Sequence, residues 1–269
     1  MNALHKAMTI AGSDTSGGAG MAADLKTFEE LNVYGMTALT VIVAQNPHNV
    51  WDHEIFPIEL SVVEKQLETI LAGIGIDAMK TGMLGSAELV ELVARTIDRF
   101  QLKNVVIDPV MVCKGIDTIM VPDAAAAIKQ LLIQRADVIT PNTLEAAYLA
   151  GMPQVKTLDE IKEAAGRIKE LGAKYVVIKG GERMENDEAI DVLYDGKEFT
   201  EMAEKKIYPS YNHGAGCTYS AAITAGLANG LSVPEAVFQA KKFITAALRH
   251  SFVLNQYSGC TNHTAFRRY

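Results

Sequence analysis

Short apolar runs alternate with amphipathic segments along most of this chain, and this alternation constrains its fold more than any other feature. The runs span residues 6–14, 36–45, 76–82, 104–110, 136–142 and 175–181. Most of their residues are β-branched or apolar, as in strands that are covered on both faces of a parallel sheet. Helical patterns lie at 18–32, 61–73, 86–100, 123–134, 142–150 and 157–172. The alternation predicts an α/β fold with a doubly wound, mostly parallel sheet and helices on both faces.

The pattern changes after residue 181. Two alternating runs flank Asp195 and Gly196 within residues 188–203, and this hairpin signal predicts antiparallel strands at one edge of the sheet. Two long helices are expected to follow, at about 216–230 and 233–251. No repeat, low-complexity tract or linker interrupts the 269 residues, so we expect one domain over residues 1–269.

The composition of the chain argues against several classes of binding partner and favours one cellular compartment. A net charge of −7 and a pI near 5.4 argue against nucleic acid or an anionic membrane as the main partner. No apolar run approaches the ~20 residues of a membrane span, and the first 14 residues do not resemble a signal peptide. The cysteines are odd in number and far apart, at Cys113, Cys217 and Cys260. This spacing favours a reducing compartment, and we expect a cytoplasmic protein.

Polar side chains stand at the end of each predicted parallel strand. They are Asp14, Gln45, Lys80, Asp108, Asn142 and Lys179. Ligands bind beyond the carboxyl ends of the strands in open sheets of this kind. One such residue could belong to an ordinary turn, but six in one sheet favour a shared cleft.

Two glycine-rich loops precede predicted helices. Residues 11–28 fit neither the Rossmann nor the Walker A pattern, and they indicate either a flexible turn or close backbone approach to a small ligand, oriented by Asp14. The second loop, residues 211–221, combines Gly214 and Gly216 with a helix start, which favours an anion. Cys217 follows at once, and the helix dipole should depress the pKa of its thiol. Cys217 could act as a general base or as a covalent nucleophile, or it could be a small buried residue.

Further candidates surround the expected cleft. Asp108 precedes a proline and could support a divalent cation through water molecules. Asn142 and Glu145 have nearly the spacing of a capping box, but they could also serve a metal and a phosphate. Lys179, beside two glycines, suits contact with a polyphosphate. Residues 105–115 end in a loop able to fold over the cleft, with Cys113 near its tip.

Several segments together resemble a known family. They read AGSDTSGGAGMAADLKTF, KTGML, VIDPVMVCKG, TPNTLEA and HGAGCT, in this order. From about residue 7 to 265 the chain resembles the hydroxymethylpyrimidine kinase and pyridoxal kinase branch of the ribokinase superfamily. The resemblance implies one ribokinase-like domain that transfers the γ-phosphoryl group of ATP, with Mg²⁺, to the hydroxymethyl group of a small heteroaromatic ring.

The resemblance also implies roles for individual residues. An anion hole is expected at Gly214, Ala215 and Gly216, with Cys217 in the position of the catalytic base. Magnesium is expected at Asp108 and Glu145. The nucleotide is expected at Asn142, Lys179, Gly181 and Thr218. The ring is expected at Asp14, Gly18, Met21, Gln45 and Met83.

The identity of the ring is less sharply indicated. Cys113 and Cys217 together resemble a subgroup of pyridoxal kinases, in which a lid cysteine works together with the cysteine at the helix start. The resemblance implies that Cys217 is the catalytic base or a thiol that adds to the pyridoxal aldehyde as a hemithioacetal, with Cys113 on the lid. Gln45 instead resembles the pyrimidine kinases. Pyridoxal or pyridoxine is the favoured substrate and hydroxymethylpyrimidine the alternative. A thiol-nucleophile acyltransferase and a non-catalytic pyridoxal-binding protein are competing hypotheses, and a homodimer is a reasonable expectation.

Overall fold

A twisted sheet of nine strands organises the part of the chain that the structure describes. This computed structural model describes residues 4–111, 119–184, 187–208 and 211–268, except for the side chain of Glu182. The strands of the sheet are β1 (His5–Asp14), β2 (Val33–Asn46), β3 (Asp52–Pro57), β4 (Ala78–Thr81), β5 (Val105–Ile107), β6 (Val138–Ile139), β7 (Tyr175–Lys179), β8 (Glu188–Tyr194) and β9 (Phe199–Lys205). Their spatial order is β3-β2-β1-β4-β5-β6-β7-β8-β9.

Helices cover both faces of this sheet. They are α1 (Gly20–Glu30), α2 (Leu60–Gly73), α3 (Ala87–Phe100), α4 (Pro122–Ala127), α5 (Thr143–Ala150), α6 (Leu158–Glu170), α7 (Ala215–Ala228), α8 (Val233–Arg249) and α9 (Ala265–Arg268). Two short strands, β10 (Phe252–Val253) and β11 (Gly259–Cys260), pair outside the main sheet. None of the described helices is both long enough and apolar enough to span a bilayer.

Neighbouring residues along each central strand enter two different hydrophobic cores. Met8 and Ile10 face helices α2 to α6, whereas Ala7, which precedes Met8, faces α1, α7 and α8. Val105 and Ile107 are divided from Val106 in the same way. Because both faces of the strand are buried, most of its positions require apolar residues. This explains the continuous apolar runs and confirms the predicted α/β fold.

The edges of the sheet were predicted less completely. The β8–β9 hairpin is present as expected, but a second antiparallel strand, β3, pairs with the end of β2 at the opposite edge. Most of β3 is exposed, so it lacks the apolar signal of a buried strand. The helix expected at 123–134 is also interrupted, because α4 continues as a π turn, Ile128–Leu132, and a 3₁₀ turn, Ile133–Arg135.

Helix caps fix the loops at the carboxyl edge of the sheet. The Ser86 side chain accepts a hydrogen bond from the Leu89 N–H at the start of α3. Asn142 and Glu145 form a complete capping box at the start of α5. This box holds Asn142 directly after β6, at the edge where the parallel strands end.

Candidate active site

A cavity of about 550 Å³ opens beyond the carboxyl ends of the parallel strands. Most of the side chains and loops predicted for the site line it. These are Asp14, Gln45, Met83, Asp108, Asn142, Glu145, Lys179, Gly181, Gly214, Ala215, Gly216 and Cys217. The structure therefore brings residues from the ends of six strands and from the starts of α5 and α7 to a single place.

Other predicted site residues lie elsewhere. Gly18 and Met21 do not line the cavity, and Gly18 packs instead against Cys260 and His213. Thr218 is fully buried, and its hydroxyl donates to the Gly214 carbonyl at 2.9 Å and lies 3.0 Å from His263 Nε2. Lys80 is also fully buried, below the cavity rather than in its wall. Cys113 falls within residues 112–118, outside the described residues.

The loop before α7 forms a backbone cradle. Gly214 adopts a left-handed φ of 80°, and a Cβ at this position would lie 1.8 Å from the Gly18 carbonyl oxygen, so only glycine fits. The Ala215 N–H donates to the Asn212 carbonyl, but glycine offers no side chain to cap the helix, so the N–H groups of Gly216 and Cys217 remain available to an anion. Lys179 adds positive charge, since its Nζ is 3.4 Å from the position of a Cβ on Gly216. The arrangement suits a phosphoryl group.

Asp108 joins this cradle to the sheet. Its Oδ1 lies 3.1 Å from Lys179 Nζ, and its Oδ2 accepts a hydrogen bond of 2.9 Å from Ser220. Thr140 donates a longer bond, of 3.3 Å, to the same carboxylate. Sequence reasoning missed Ser220, although its place one helical turn after Cys217 puts both residues on one face of α7.

Glu145 is a buried carboxyl group close to Asp108. It accepts hydrogen bonds from the N–H groups of Asn142, at 2.9 Å, and Met111, at 3.3 Å. Burial raises the pKa of Glu145 to about 7, and the negative charge of Asp108 acts in the same direction. The Asn142 side-chain oxygen is used by the helix cap, so its amide nitrogen is the group that can reach a ligand.

Asp108 and Glu145 fit a magnesium ion better than a metal held by the protein alone. The described residues contain no group of three or more His, Cys, Asp or Glu side chains that could hold a metal. Mg²⁺ commonly takes only one or two carboxylates, with waters and phosphate oxygens completing its shell. Two carboxyl groups crowded beside a phosphate cradle, one of them with a raised pKa, are a suitable donor set.

The expected depression of the Cys217 pKa is wrong. Part of the residue faces the cavity, but the surrounding protein excludes most water, and this burial raises the pKa of its thiol to about 12. The carboxylates of Asp24 and Asp108 raise it further, whereas Lys80 and a hydrogen bond from the Gly20 N–H lower it. The dipole of α7 does not outweigh desolvation, so the resting thiol is protonated at neutral pH.

A second hydrogen-bonded group lies where the ring was expected. Asp14 accepts from Gln45 Nε2 at 2.8 Å and from the Ser16 N–H at 2.8 Å, and its other oxygen lies 2.5 Å from His213 Nε2. Burial alone would raise the pKa of Asp14, but the bonds from His213 and Ser16 hold it well below its usual range. Asp14 is therefore an ionised group that can only accept. Sequence analysis missed this role of His213, which lies far from Asp14 along the chain.

Comparisons with known proteins agree on one family. The family model described as phosphomethylpyrimidine kinase matches residues 14–262. Pyridoxine kinase of Bacillus subtilis is 57% identical over 264 residues, which cover 98% of this chain and 97% of the relative. Hydroxymethylpyrimidine/phosphomethylpyrimidine kinase of the same organism is 41% identical, with 98% and 97% coverage.

A solved structure extends the likeness to the fold. The ADP complex of Bacillus subtilis pyridoxal kinase superposes with a TM-score of 0.96 at 57% identity, and the match covers 98% of this chain and 99% of the other. The likeness therefore extends over nearly the whole of both chains.

Proposed function

Because the chain belongs to the phosphomethylpyrimidine kinase family, we propose that it phosphorylates the hydroxymethyl group of pyridoxal or pyridoxine, with ATP and Mg²⁺. One observation carries the proposal: a single cavity joins the anion cradle, the Cys217 thiol and the Asp14–Gln45 pair. A kinase needs these three parts side by side, since phosphoryl transfer depends on positioning and on stabilising charge.

Each part has a defined task in the proposed reaction. The N–H groups at the start of α7 and the ammonium group of Lys179 stabilise negative charge on the transferring phosphoryl group. Cys217 receives the proton of the attacking hydroxyl group. Asp108 and Glu145 would hold Mg²⁺, which supplies positive charge to the phosphates. Asn142 offers its amide nitrogen to the nucleotide.

The Asp14 carboxylate orients Gln45 and so sets what the ring must offer. Because Asp14 can only accept, it binds Nε2 of Gln45, and the side-chain oxygen of Gln45 is left for the cavity. A ring group that meets this oxygen must donate a hydrogen. A protonated pyridine nitrogen and a pyrimidine amino group both can, so Gln45 is compatible with either ring.

Phosphorylation of hydroxymethylpyrimidine is therefore the second candidate function. The specific observation in its favour is 41% identity, over nearly the full chain, to a hydroxymethylpyrimidine/phosphomethylpyrimidine kinase. The identity to a pyridoxine kinase is higher, at 57%, and places the B6 vitamers first. One preparation assayed with pyridoxal, pyridoxine and hydroxymethylpyrimidine should give its highest kcat/KM with a B6 vitamer. A higher value with the pyrimidine would reverse the order.

The two remaining hypotheses have weaker support. An acyltransferase would need a reactive thiolate, but the pKa of Cys217 is raised, and His213 is engaged by Asp14. A non-catalytic binder would not need a base beside the phosphate cradle. ATP consumption that depends on pyridoxal would exclude the binder, and no turnover with any of the three rings would refute the kinase.

The base has its own test in Cys217→Ala. General acid–base catalysis contributes about 10²–10⁴-fold, so kcat should fall by roughly that factor. The affinity for ADP, measured by calorimetry on the same variant, should stay unchanged and serves as the control. An unaltered kcat would remove Cys217 from the mechanism.

A cytoplasmic homodimer completes the proposal. Ile42 on β2 and Phe56 on β3 are register partners at the edge of the sheet, and both are exposed. Neighbouring exposed apolar side chains favour a protein contact. Light scattering should give twice the mass of one chain, and Phe56→Glu should reduce it to that of a monomer.

A further inference from the structure

Two fully buried charged side chains lie beneath the first turn of α7. Lys80 belongs to β4 and Asp24 to α1, and Nζ of Lys80 is 2.9 Å from Oδ2 of Asp24. Thr9 donates a hydrogen bond of 2.6 Å to the same oxygen. Both charged side chains have no exposed surface. A buried ion pair contributes little net stability compared with apolar residues of similar size, so stability alone does not explain this one.

The position of the pair connects it to Cys217. Helix α7 packs against both α1 and β4, and the backbone of Gly20, at the start of α1, is near enough to the Cys217 sulfur to lower the pKa of the thiol. Gly82 lines the cavity, and a Cβ at that position would be 3.5 Å from Lys80 Nζ, so the ammonium group lies just below the cavity wall.

Four charged groups act on the Cys217 sulfur from the surrounding elements. Asp24 from α1 and Asp108 beyond β5 oppose a thiolate, whereas Lys80 from β4 and Lys179 from β7 favour it. Lys179 faces the phosphate cradle and is available to a ligand. Lys80 has no access to the cavity, so its charge can act only on groups inside the protein.

We infer that Lys80 is a positioning residue for the proposed base: held by Asp24 beneath α7, its ammonium group stabilises the Cys217 thiolate. The inference rests on the proposed function, because the proposed base must be a thiolate to accept the proton. The thiol first loses its proton to water in the open cavity. The thiolate then accepts the hydroxymethyl proton while the oxygen attacks the γ-phosphorus and ADP leaves, and the proton returns to water after the product departs.

Alkylation of Cys217 tests the inference without any turnover. Iodoacetamide forms a carbon–sulfur bond as iodide leaves and the thiol proton passes to water, so its rate follows the thiolate fraction. Peptide mass spectrometry would separate Cys217 from the other cysteines at each pH. At pH 8 we expect Lys80→Met to slow alkylation about tenfold and Asp24→Asn to accelerate it about tenfold, which corresponds to one pKa unit in each direction.

The opposite effects expected for Lys80→Met and Asp24→Asn on the alkylation rate distinguish an electrostatic role of the ion pair from a structural one. Loosening the fold would expose the thiol and accelerate alkylation in both variants. Lys241→Met is the matched control, because Lys241 forms a buried ion pair with Asp191 at 2.7 Å but is not among the groups with the largest effect on the pKa of Cys217. Its alkylation rate should equal that of the unmodified chain.

A double variant keeps the test decisive if Lys80→Met does not fold. Asp24→Asn/Lys80→Met leaves no unpaired buried charge, and it should alkylate more slowly than Asp24→Asn alone. Equal rates in these two variants, or in Lys80→Met and the unmodified chain, would overturn the inference. Kinase activity is measured separately on the unmodified chain, so absence of turnover would refute the proposed function and leave the alkylation result intact.

Discussion

The unmodified chain should lose stability towards unfolding as pH rises from 5 to 8, and Glu145→Gln should abolish this loss. Folding raises the pKa of Glu145 from an ordinary 4.5 to about 7, chiefly through burial. The folded chain therefore holds a proton that the unfolded chain releases, and the free energy of unfolding falls as pH rises through this window. Each pH unit costs about 1.4 kcal/mol, so the total reaches about 3 kcal/mol above pH 7.

The amide removes this cost while preserving the local structure. Gln is neutral at every pH in the window, and its oxygen can still accept from the Asn142 N–H, so the capping box survives. Urea unfolding of both proteins without Mg²⁺ would give the difference in stability. That difference should be near zero at pH 4.5 and should favour the variant by about 3 kcal/mol at pH 8.

A second capping box provides the matched control. Glu160 caps α6 through the Thr157 N–H, at 3.0 Å, but it is exposed, and hydrogen bonds from the Lys156 and Thr157 N–H groups lower its pKa. Glu160→Gln should therefore lose stability at high pH, the opposite sign. Adding Mg²⁺ and ADP at pH 8 should stabilise the unmodified chain more than Glu145→Gln. A flat difference between Glu145→Gln and the unmodified chain from pH 5 to pH 8 would refute the reasoning.

Two further predictions address the cradle and the loop that carries the second cysteine. Gly214→Ala should lower the melting temperature and abolish activity, because its Cβ would lie 1.8 Å from the Gly18 oxygen. Gly216→Ala is the control: its Cβ would meet only the flexible end of Lys179, so its melting temperature should not change. Equal melting temperatures of the two variants would contradict the steric role of Gly214. Cys113→Ala should reduce kcat/KM for pyridoxal more than for pyridoxine, because only pyridoxal has an aldehyde that can form a hemithioacetal. An equal loss with both vitamers would reject this role for Cys113.

The sequence determines the central sheet because burial on both faces demands unbroken apolar runs. Met8 and Ala7 enter different cores, so the buried positions of β1 cannot be polar without cost, and the apolar run is conspicuous. The edge strand β3 meets no such demand. Its residues are mostly exposed, and its pairing with β2 depends on a register that local sequence does not specify.

The positions of site residues at the ends of parallel strands could be predicted from the sequence. The positions that depend on how a helix packs could not. Asp108, Asn142 and Lys179 follow parallel strands, so the sheet itself brings them to one edge. Thr218 stands one residue after Cys217, and a rotation of about 100° along the helix turns it away from the cavity. Only the packing of α7 fixes which residue faces the ligand.

The raised pKa of Cys217 shows how the site can contain a base that is inert at rest. Of the two carboxylates that oppose the thiolate, Asp24 is permanently paired with Lys80, whereas Asp108 lines the cavity. In the proposed reaction, Mg²⁺ held at Asp108 would offset the negative charge of that carboxylate, while the positive charge of Lys80 stays in place. Because burial keeps the resting thiol protonated, the cysteine should resist oxidation in the free protein, and its proposed role as a base relies on the small thiolate fraction that Lys80 stabilises.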